Sequence, residues 1–225
     1  MGSPWWAAKG WPGHEGVRLM KKIDYRRDLR ALYQPSARQI EVLDVPAMPF
    51  LMVNGEGDPN TSRPYREAVE ALFTLSYTLK FMVKKGGLEI DYSVFPLEGL
   101  WWADDLSAFF AGNKDCWNWT SMIAQPEFVT TEMVSRAMAK ARKKKELAAL
   151  DLVRFEVFTE GKAAQIMYVG AYADEGPTIA RMHAFIEEKG GSLSGKHHEI
   201  YLGDPRKTSP DKLKTIIRQP FKARD

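Results

Sequence analysis

A chain of 225 residues with 44% hydrophobic and 27% charged residues can bury a substantial core, which excludes a disordered or fibrous protein and fits one large domain or two small ones. Its net charge of +3 is small and spread among acids, and no stretch is apolar enough to cross a membrane, so neither a nucleic acid nor a bilayer is the expected partner. The single cysteine, Cys116, excludes an intramolecular disulfide and a cysteine-rich zinc site and fits a reducing, cytoplasmic setting.

Residues 1–19 hold Trp5, Trp6 and Trp11 among Gly and Pro without an apolar helix. They read as a tail, with Met20-Lys21-Lys22 starting a domain over 20–225. Tyr25 to Arg38 is basic and turn-rich. Ile40-Glu41-Val42-Leu43-Asp44-Val45 alternates as a first strand, and Phe50-Leu51-Met52-Val53-Asn54-Gly55 reads as a buried strand entering the turn Gly55-Glu56-Gly57-Asp58-Pro59. That turn lacks the lysine of a phosphate-binding loop. Ser62 then N-caps a helix in which Ala68, Val69, Leu72, Leu75, Leu79 and Met82 recur at helical spacing. Leu88 to Phe95 alternates as a strand, and Pro96 to Trp102 carries it into one acid, Glu98, then Gly99 and two rings.

Ala103 to Lys114 has the composition of a loop insertion. From Trp117 to Pro126 the alternation returns, with Trp117, Trp119, Ser121 and Ile123 on one face. Thr130 opens a helix that ends in the basic run Lys140 to Lys145, a placement that suits the negative end of a helix dipole. Phe155–Phe158 and Ala163–Tyr168 make two strands joined at Glu160-Gly161. A helix from Pro177 to Lys189 buries Ile179, Met182, Phe185 and Ile186, and a last strand covers Lys214 to Pro220.

Between these last elements lies His197-His198-Glu199-Ile200-Tyr201-Leu202. In a strand, Glu199 shares a face with His197 and Tyr201 while His198, Ile200 and Leu202 take the other. Adjacent histidines point to opposite faces and cannot hold one ion from one side, so no metal is expected, and no cofactor motif is present.

The two halves of the chain repeat one order: strand, glycine turn, helix, strand with one Glu, insertion, strand ending in Gln-Pro. Phe50–Gly55 matches Gln165–Gly170, Glu98 matches Glu199, and Ile123-Ala124-Gln125-Pro126 matches Ile217-Arg218-Gln219-Pro220. The fold class read from this is α+β: a tandem pair of strand-helix-strand-strand modules, about 38–148 and 149–225, related by a pseudo-twofold axis. Their antiparallel sheets would surround a central cleft fit for a small molecule, with Glu98 and Glu199 facing each other across it. Trp101, Trp102, Tyr168, Tyr172 and Tyr201 are the candidate walls, and Met122 and Met167 the candidate apolar lining.

Leu97-Glu98-Gly99-Leu100-Trp101-Trp102, Trp119-Thr120-Ser121-Met122-Ile123-Ala124-Gln125-Pro126 and His197 to Arg206, in that order, resemble the stand-alone GyrI-like small-molecule-binding proteins over about Met20 to Phe221. The resemblance implies the same tandem modules, a fold that also serves as the effector-binding part of multidrug-sensing transcription activators, and an acid at Glu199 inside the cleft. Some stand-alone members hydrolyse cyclopropane-bearing DNA-alkylating natural products, and the resemblance implies that activity here as well.

The residues are compatible with such chemistry. A carboxylate desolvated by rings has a raised pKa and can act as a base toward water. Glu199 is the expected base, Tyr168 or Tyr201 the orienting or oxyanion-stabilising hydroxyl, Trp101, Trp102 and Tyr172 the stacking walls, and Glu98 a second acid at the far end. The alternatives are a passive multidrug binder with Glu199 as counter-charge and an effector module acting with a partner protein. Oligomeric state has no signature in the sequence.

Overall fold

The computed structural model describes residues 21–86, 88, 90–103 and 114–224. The expected tail over Met1–Leu19 and most of the expected insertion over Ala103–Lys114 lie outside the described residues. The strands are β1 (Lys21–Ile23), β2 (Glu41–Val45), β3 (Met48–Glu56), β4 (Ile90–Tyr92), β5 (Leu97–Trp102), β6 (Asn118–Ala124), β7 (Arg154–Phe158), β8 (Gly161–Val169), β9 (Gly191–Leu193), β10 (His197–Tyr201) and β11 (Lys214–Ala223). The helices are α1 (Tyr25–Asp28), α2 (Arg30–Tyr33), α3 (Arg63–Lys85), α4 (Thr131–Lys144) and α5 (Gly176–Glu188).

Local chemistry sets the helix starts. The Ser62 side chain accepts from the Tyr65 amide at 3.2 Å, and Pro64 occupies the first turn of α3, where its missing N–H is not needed. Thr130 caps α4 in the same way through the Met133 amide. Ala68, Ala71, Leu72, Leu75 and Leu79 of α3 are fully buried, each leucine worth about 1.5–3 kcal/mol against an exposed position. Several segments depart from the sequence reading, among them the unexpected short strands β1 and β9. The basic stretch 25–38 contains α1 and α2 because Leu32 and Tyr33 are buried, and the expected strand Leu88–Phe95 shrinks to β4, which pairs in parallel with β1.

Among the described residues the main sheet has nine strands in the order β2-β8-β11-β10-β5-β6-β3-β7, with β9 on β11, and its pairings are antiparallel. Outward from the β5–β10 junction the two sides run alike: β5-β6-β3-β7 on one side and β10-β11-β8-β2 on the other. α3 lies over β3 and β6, and α5 over β8 and β11, so both leave the two central strands uncovered. Both helices sit on the face that carries Glu199. Tyr65 of α3 meets Trp101 and Trp119 there, and Met182 and Ile186 of α5 cluster there with Ile166 and Ile217.

The register corrects one expectation. Glu199 lies opposite Gly99, and Glu98 lies opposite Ile200. Cross-strand partners share a face, so Glu98 and Glu199 are on opposite faces and cannot line one cleft. The repeat alignment of Glu98 with Glu199 is out of register by one residue, which in a strand inverts every side chain. A match of Gly99 with Glu199, Trp101 with Tyr201 and Glu98 with His198 keeps each pair on a common face.

Candidate functional site

The front face of the β5–β10 junction carries Glu199, Tyr201, His197, Gly99 and Trp101, extended by Ser121 and Trp119 on β6 and Thr215 on β11. The Tyr201 hydroxyl donates to Glu199 Oε2 at 2.7 Å and accepts from Trp101 Nε1 at 3.0 Å. His197 Nε2 lies 3.2 Å from Glu199 Oε1. Gly99 makes this arrangement possible, because a Cβ there would lie 2.7 Å from Trp101 Nε1. Gly55 does the same for Trp119, whose ring would meet a Cβ at 2.2 Å.

Rings wall the carboxylate on several sides. Tyr172 meets Tyr201 edge-on at 5.5 Å, Trp117 meets Trp101 edge-on at 5.7 Å, and Tyr65 reaches over Trp101 at 5.9 Å and Trp119 at 5.0 Å. The Glu199 side chain keeps 14% of its surface exposed, enough for a ligand or water to reach it.

The charge state of Glu199 differs from the sequence-based expectation of a raised pKa. Burial alone would push the carboxyl up, but the His197 contact, the Tyr201 hydrogen bond and the Lys114 charge outweigh it and hold the group below its usual range. The raised acid is another residue, Glu175, just ahead of α5. Burial, reinforced by the charge on Glu199, pushes it up to about 8. Burial also drives Tyr65 upward, Tyr172 to about 12 and Tyr201 well above its ordinary value, in each case with the Glu199 charge adding to the effect.

Of the residues singled out from the sequence, Glu199, Tyr201, Trp101 and Tyr172 come together. Tyr168 is on the same face but two strands away, opposite Thr215, and its hydroxyl donates to the Ala171 carbonyl at 3.1 Å instead of reaching Glu199. Glu98, Trp102, Met122 and Met167 all project from the back face, because Glu98 pairs with Met122 and with Ile200, Trp102 follows Glu98 at even spacing, and Met167 pairs with Ile216. They line no surface shared with Glu199. Trp102 instead carries Lys196 Nζ 3.2 Å above its ring, and Met122 is core.

The back face holds a second polar system. Glu98 Oε1 accepts from the Tyr33 hydroxyl at 2.9 Å, and Glu98 Oε2 lies 3.0 Å from His198 Nε2. His198 Nδ1 lies 2.9 Å from Glu160 Oε1, and Arg218 donates to Glu160 Oε2 at 3.1 Å, to Gln165 Oε1 and to the Leu32 carbonyl at 2.8 Å. Both imidazole nitrogens face carboxylate oxygens, which only the doubly protonated ring satisfies. Burial works against that cation, but Glu160 and Glu98 raise His198 to about 9, while His198 and Arg218 hold Glu160 at about 2 against the effect of burial. Two carboxylates, one imidazolium and one guanidinium cancel, and the side chains are 3% exposed or less.

Sequence reasoning missed Tyr65, Glu175, Thr215 and the whole back-face system. Tyr65 and Tyr172 each precede or open a helix that follows a glycine turn, a parallel visible in the repeat. A broader groove of about 860 Å³ between α3 and α4, flanked by exposed Tyr77 and Phe81 and by Arg136 and Lys140, contains none of the front-face residues. No metal-binding cluster of His, Cys, Asp or Glu occurs among the described residues, and no helix there is long and apolar enough to cross a membrane.

Residues 38–222 match the family described as the GyrI-like small molecule binding domain. A conserved protein of Listeria innocua is 40% identical, with a TM-score of 0.81 over 89% of this chain and 100% of its own. A structure described as a hydrolase from Listeria innocua is also 40% identical, with a TM-score of 0.78 over 89% of this chain and 100% of its own. The C-terminal domain of EcmrR shares 12% identity and a TM-score of 0.53 over 83% of this chain and 98% of its own, a likeness of fold alone. Among curated protein sequences none matches.

Proposed function

Because the chain belongs to the GyrI-like small-molecule-binding family, we propose that its front face binds planar, hydrophobic, electrophilic molecules and hydrolyses cyclopropane-bearing alkylators, with Glu199 as the base. One observation carries this reading: a partly exposed carboxylate is kept ionised and fixed in direction, by Tyr201 and His197, at the bottom of a ring-lined site. Each Glu199 oxygen uses one acceptor direction on the protein and has another for a water molecule. The relatives described as hydrolases support the enzyme reading.

In this mechanism a planar ligand stacks between Tyr65, Trp101 and Tyr172, and Glu199 draws a proton from a water aimed at the unsubstituted cyclopropane carbon. The C–O bond forms as the ring C–C bond breaks, and the electron pair moves through the conjugated system to the carbonyl oxygen. Tyr201 orients Glu199 and Trp101 orients Tyr201, since both hydroxyl functions of Tyr201 are already used.

The second reading is a non-catalytic binder that sequesters or senses cationic drugs, with Glu199 as counter-charge. The lowered pKa of Glu199 favours it, because a carboxylate held below its usual range is a weaker proton acceptor than one tuned toward 7. Incubating wild type and Glu199→Gln with a panel of cyclopropane-bearing alkylators, and following the water adduct by mass spectrometry, separates the two. Turnover by wild type alone supports the enzyme. Binding without turnover by wild type leaves the binder.

A further inference from the structure

We propose that Glu175 is the acid of this site: it hands a proton to the ligand's carbonyl oxygen while Glu199 takes one from water. The proposal rests on the hydrolytic reading above and names the proton donor that the tyrosines do not supply.

The first observation is that the Glu175 carboxyl caps no helix amide and has only the Thr215 hydroxyl as a hydrogen-bond donor. It occupies the position ahead of α5, where an acidic side chain ordinarily caps free amides, yet its backbone is already helical, at φ −71° and ψ −22°, and its side chain makes no capping bond. Its carbonyl, not its carboxyl, receives the Thr178 and Ile179 amides. The residue is 3% exposed, and its Oε1 has no hydrogen-bond partner. Burying a carboxyl with one oxygen unpartnered is unfavourable by a few kcal/mol, a cost that the contacts of the folded chain do not offset.

The second observation is where other unsatisfied polar atoms collect. Thr215 Oγ1, whose hydroxyl acts on Glu175, and Ser121 Oγ, whose hydroxyl acts on Tyr65, are buried with no other partner, and both side chains project from the front face on the strands that flank β5 and β10. A face on which two buried hydroxyls and a buried carboxyl keep unused hydrogen-bonding capacity around one ionised carboxylate is shaped to complement polar atoms of something bound.

Charge then assigns the roles. The groups acting on Glu175 are Glu199 from β10, Thr215 from β11 and Lys114 from the turn before β6, and Glu175 in turn acts on Tyr172, Tyr168 and Tyr201. Two carboxyls that feel each other do not ionise together, and the one with the stronger set of donors and nearby positive charge takes the charge. That is Glu199, with Tyr201 and His197. Glu175, raised to about 8, is therefore the protonated partner at neutral pH. The surrounding tyrosines are driven further from neutrality, which leaves Glu175 as the acid suited to proton transfer.

The step balances. Water loses a proton to Glu199, its oxygen bonds to the cyclopropane carbon, the ring C–C bond breaks, and the carbonyl oxygen receives the proton from Glu175. The product is the water adduct, with Glu199 protonated and Glu175 ionised, and exchange with solvent restores both.

The test uses wild type and Glu175→Gln on a cyclopropane-bearing alkylator across about pH 6 to 10, with the carboxyl-carbon NMR titration of protein carrying ¹³C-glutamate. Wild-type turnover is expected to fall as pH rises through about 8, and one carboxyl resonance to titrate there. Glu175→Gln should lose that resonance, turn over about a hundredfold more slowly and lose the alkaline limb. A variant as fast as wild type, with the same alkaline limb, overturns the role of Glu175 and leaves hydrolysis by Glu199 standing. Wild type without turnover sinks hydrolysis and the proton transfer together. Absence of any carboxyl titrating near 8 in wild type overturns the assignment without recourse to a variant.

Discussion

Glu98 and Glu199 lie one register step apart on paired central strands and point to opposite faces of the sheet, Glu199 opposite Gly99 and Glu98 opposite Ile200. Both oxygens of Glu98 are engaged, by Tyr33 and His198, whereas those of Glu199 each have room for one more donor. The same residue type therefore performs two different tasks on the two faces of one strand pair.

Glu199→Gln is expected to lower turnover by at least about a hundredfold while leaving the unfolding free energy within about 1 kcal/mol of wild type. Glu98→Ala should do the reverse in stability, costing about 3–5 kcal/mol because it leaves the His198 cation short of a buried partner. Paired kinetic and denaturation measurements on the two variants check the contrast. Equal stability losses would refute it.

Tyr201→Phe removes one of the hydrogen bonds that hold Glu199 ionised, so the pKa of Glu199 moves upward. If Glu199 must be ionised to act, the acid limb of the pH–rate profile moves to higher pH. An unmoved limb would assign that limb to another group.

Gly99→Ala puts a methyl group 2.7 Å from Trp101 Nε1, and the ring must leave its place over the strand. The expected cost is about 1–3 kcal/mol, with loss of the Trp101–Tyr201 hydrogen bond and a weaker fit for planar ligands. Tryptophan fluorescence and ligand titration report both effects, and unchanged binding would exclude Trp101 as a wall.

The back-face network predicts how stability depends on pH. His198 is raised from 6.5 to about 9, so its contribution is complete below 6.5 and is lost as pH rises through 9. Glu160 is lowered from 4.5 to about 2, so its contribution is complete above 4.5 and is lost as pH falls through 2. Glu175, raised from 4.5 to about 8, adds a decline across that interval. Urea denaturation should therefore show stability falling from about pH 4.5 to 9, with Glu175→Gln flattening the part between 4.5 and 8 and His198→Gln the part between 6.5 and 9. A slope between 6.5 and 9 identical in His198→Gln and wild type would contradict the charged imidazole.

Alternation and helical spacing were enough to find β3, α3, β6, β8, α5, β10 and β11, because each buries a regular stripe. Alternation also puts Glu199 with Tyr201, whereas Trp101 joins them only through the cross-strand register. Periodicity within a strand says which residues share a face but not how that strand aligns with another, which is why Glu98, Trp102, Met122 and Met167 were assigned to the wrong face. Cross-strand register settles that, and it depends on pairing between residues a hundred positions apart. Glu175 left no pattern at all, since its environment is assembled from α5, β10 and β11, and its charge state follows from Glu199.

The network behind the sheet also divides the molecule into what can drift and what cannot. Tyr33, Glu98, Glu160, Gln165, His198 and Arg218 form an interdependent set in which each substitution strands a neighbour, so the floor beneath Glu199 is locked from below. Tyr65 and Tyr172, at the ends of elements that flank the floor, lie outside that network and meet the floor mainly through ring contacts. Divergence among descendants of this protein, or directed evolution toward new ligands, should thus concentrate in these overhanging rings while the strands beneath remain unaltered.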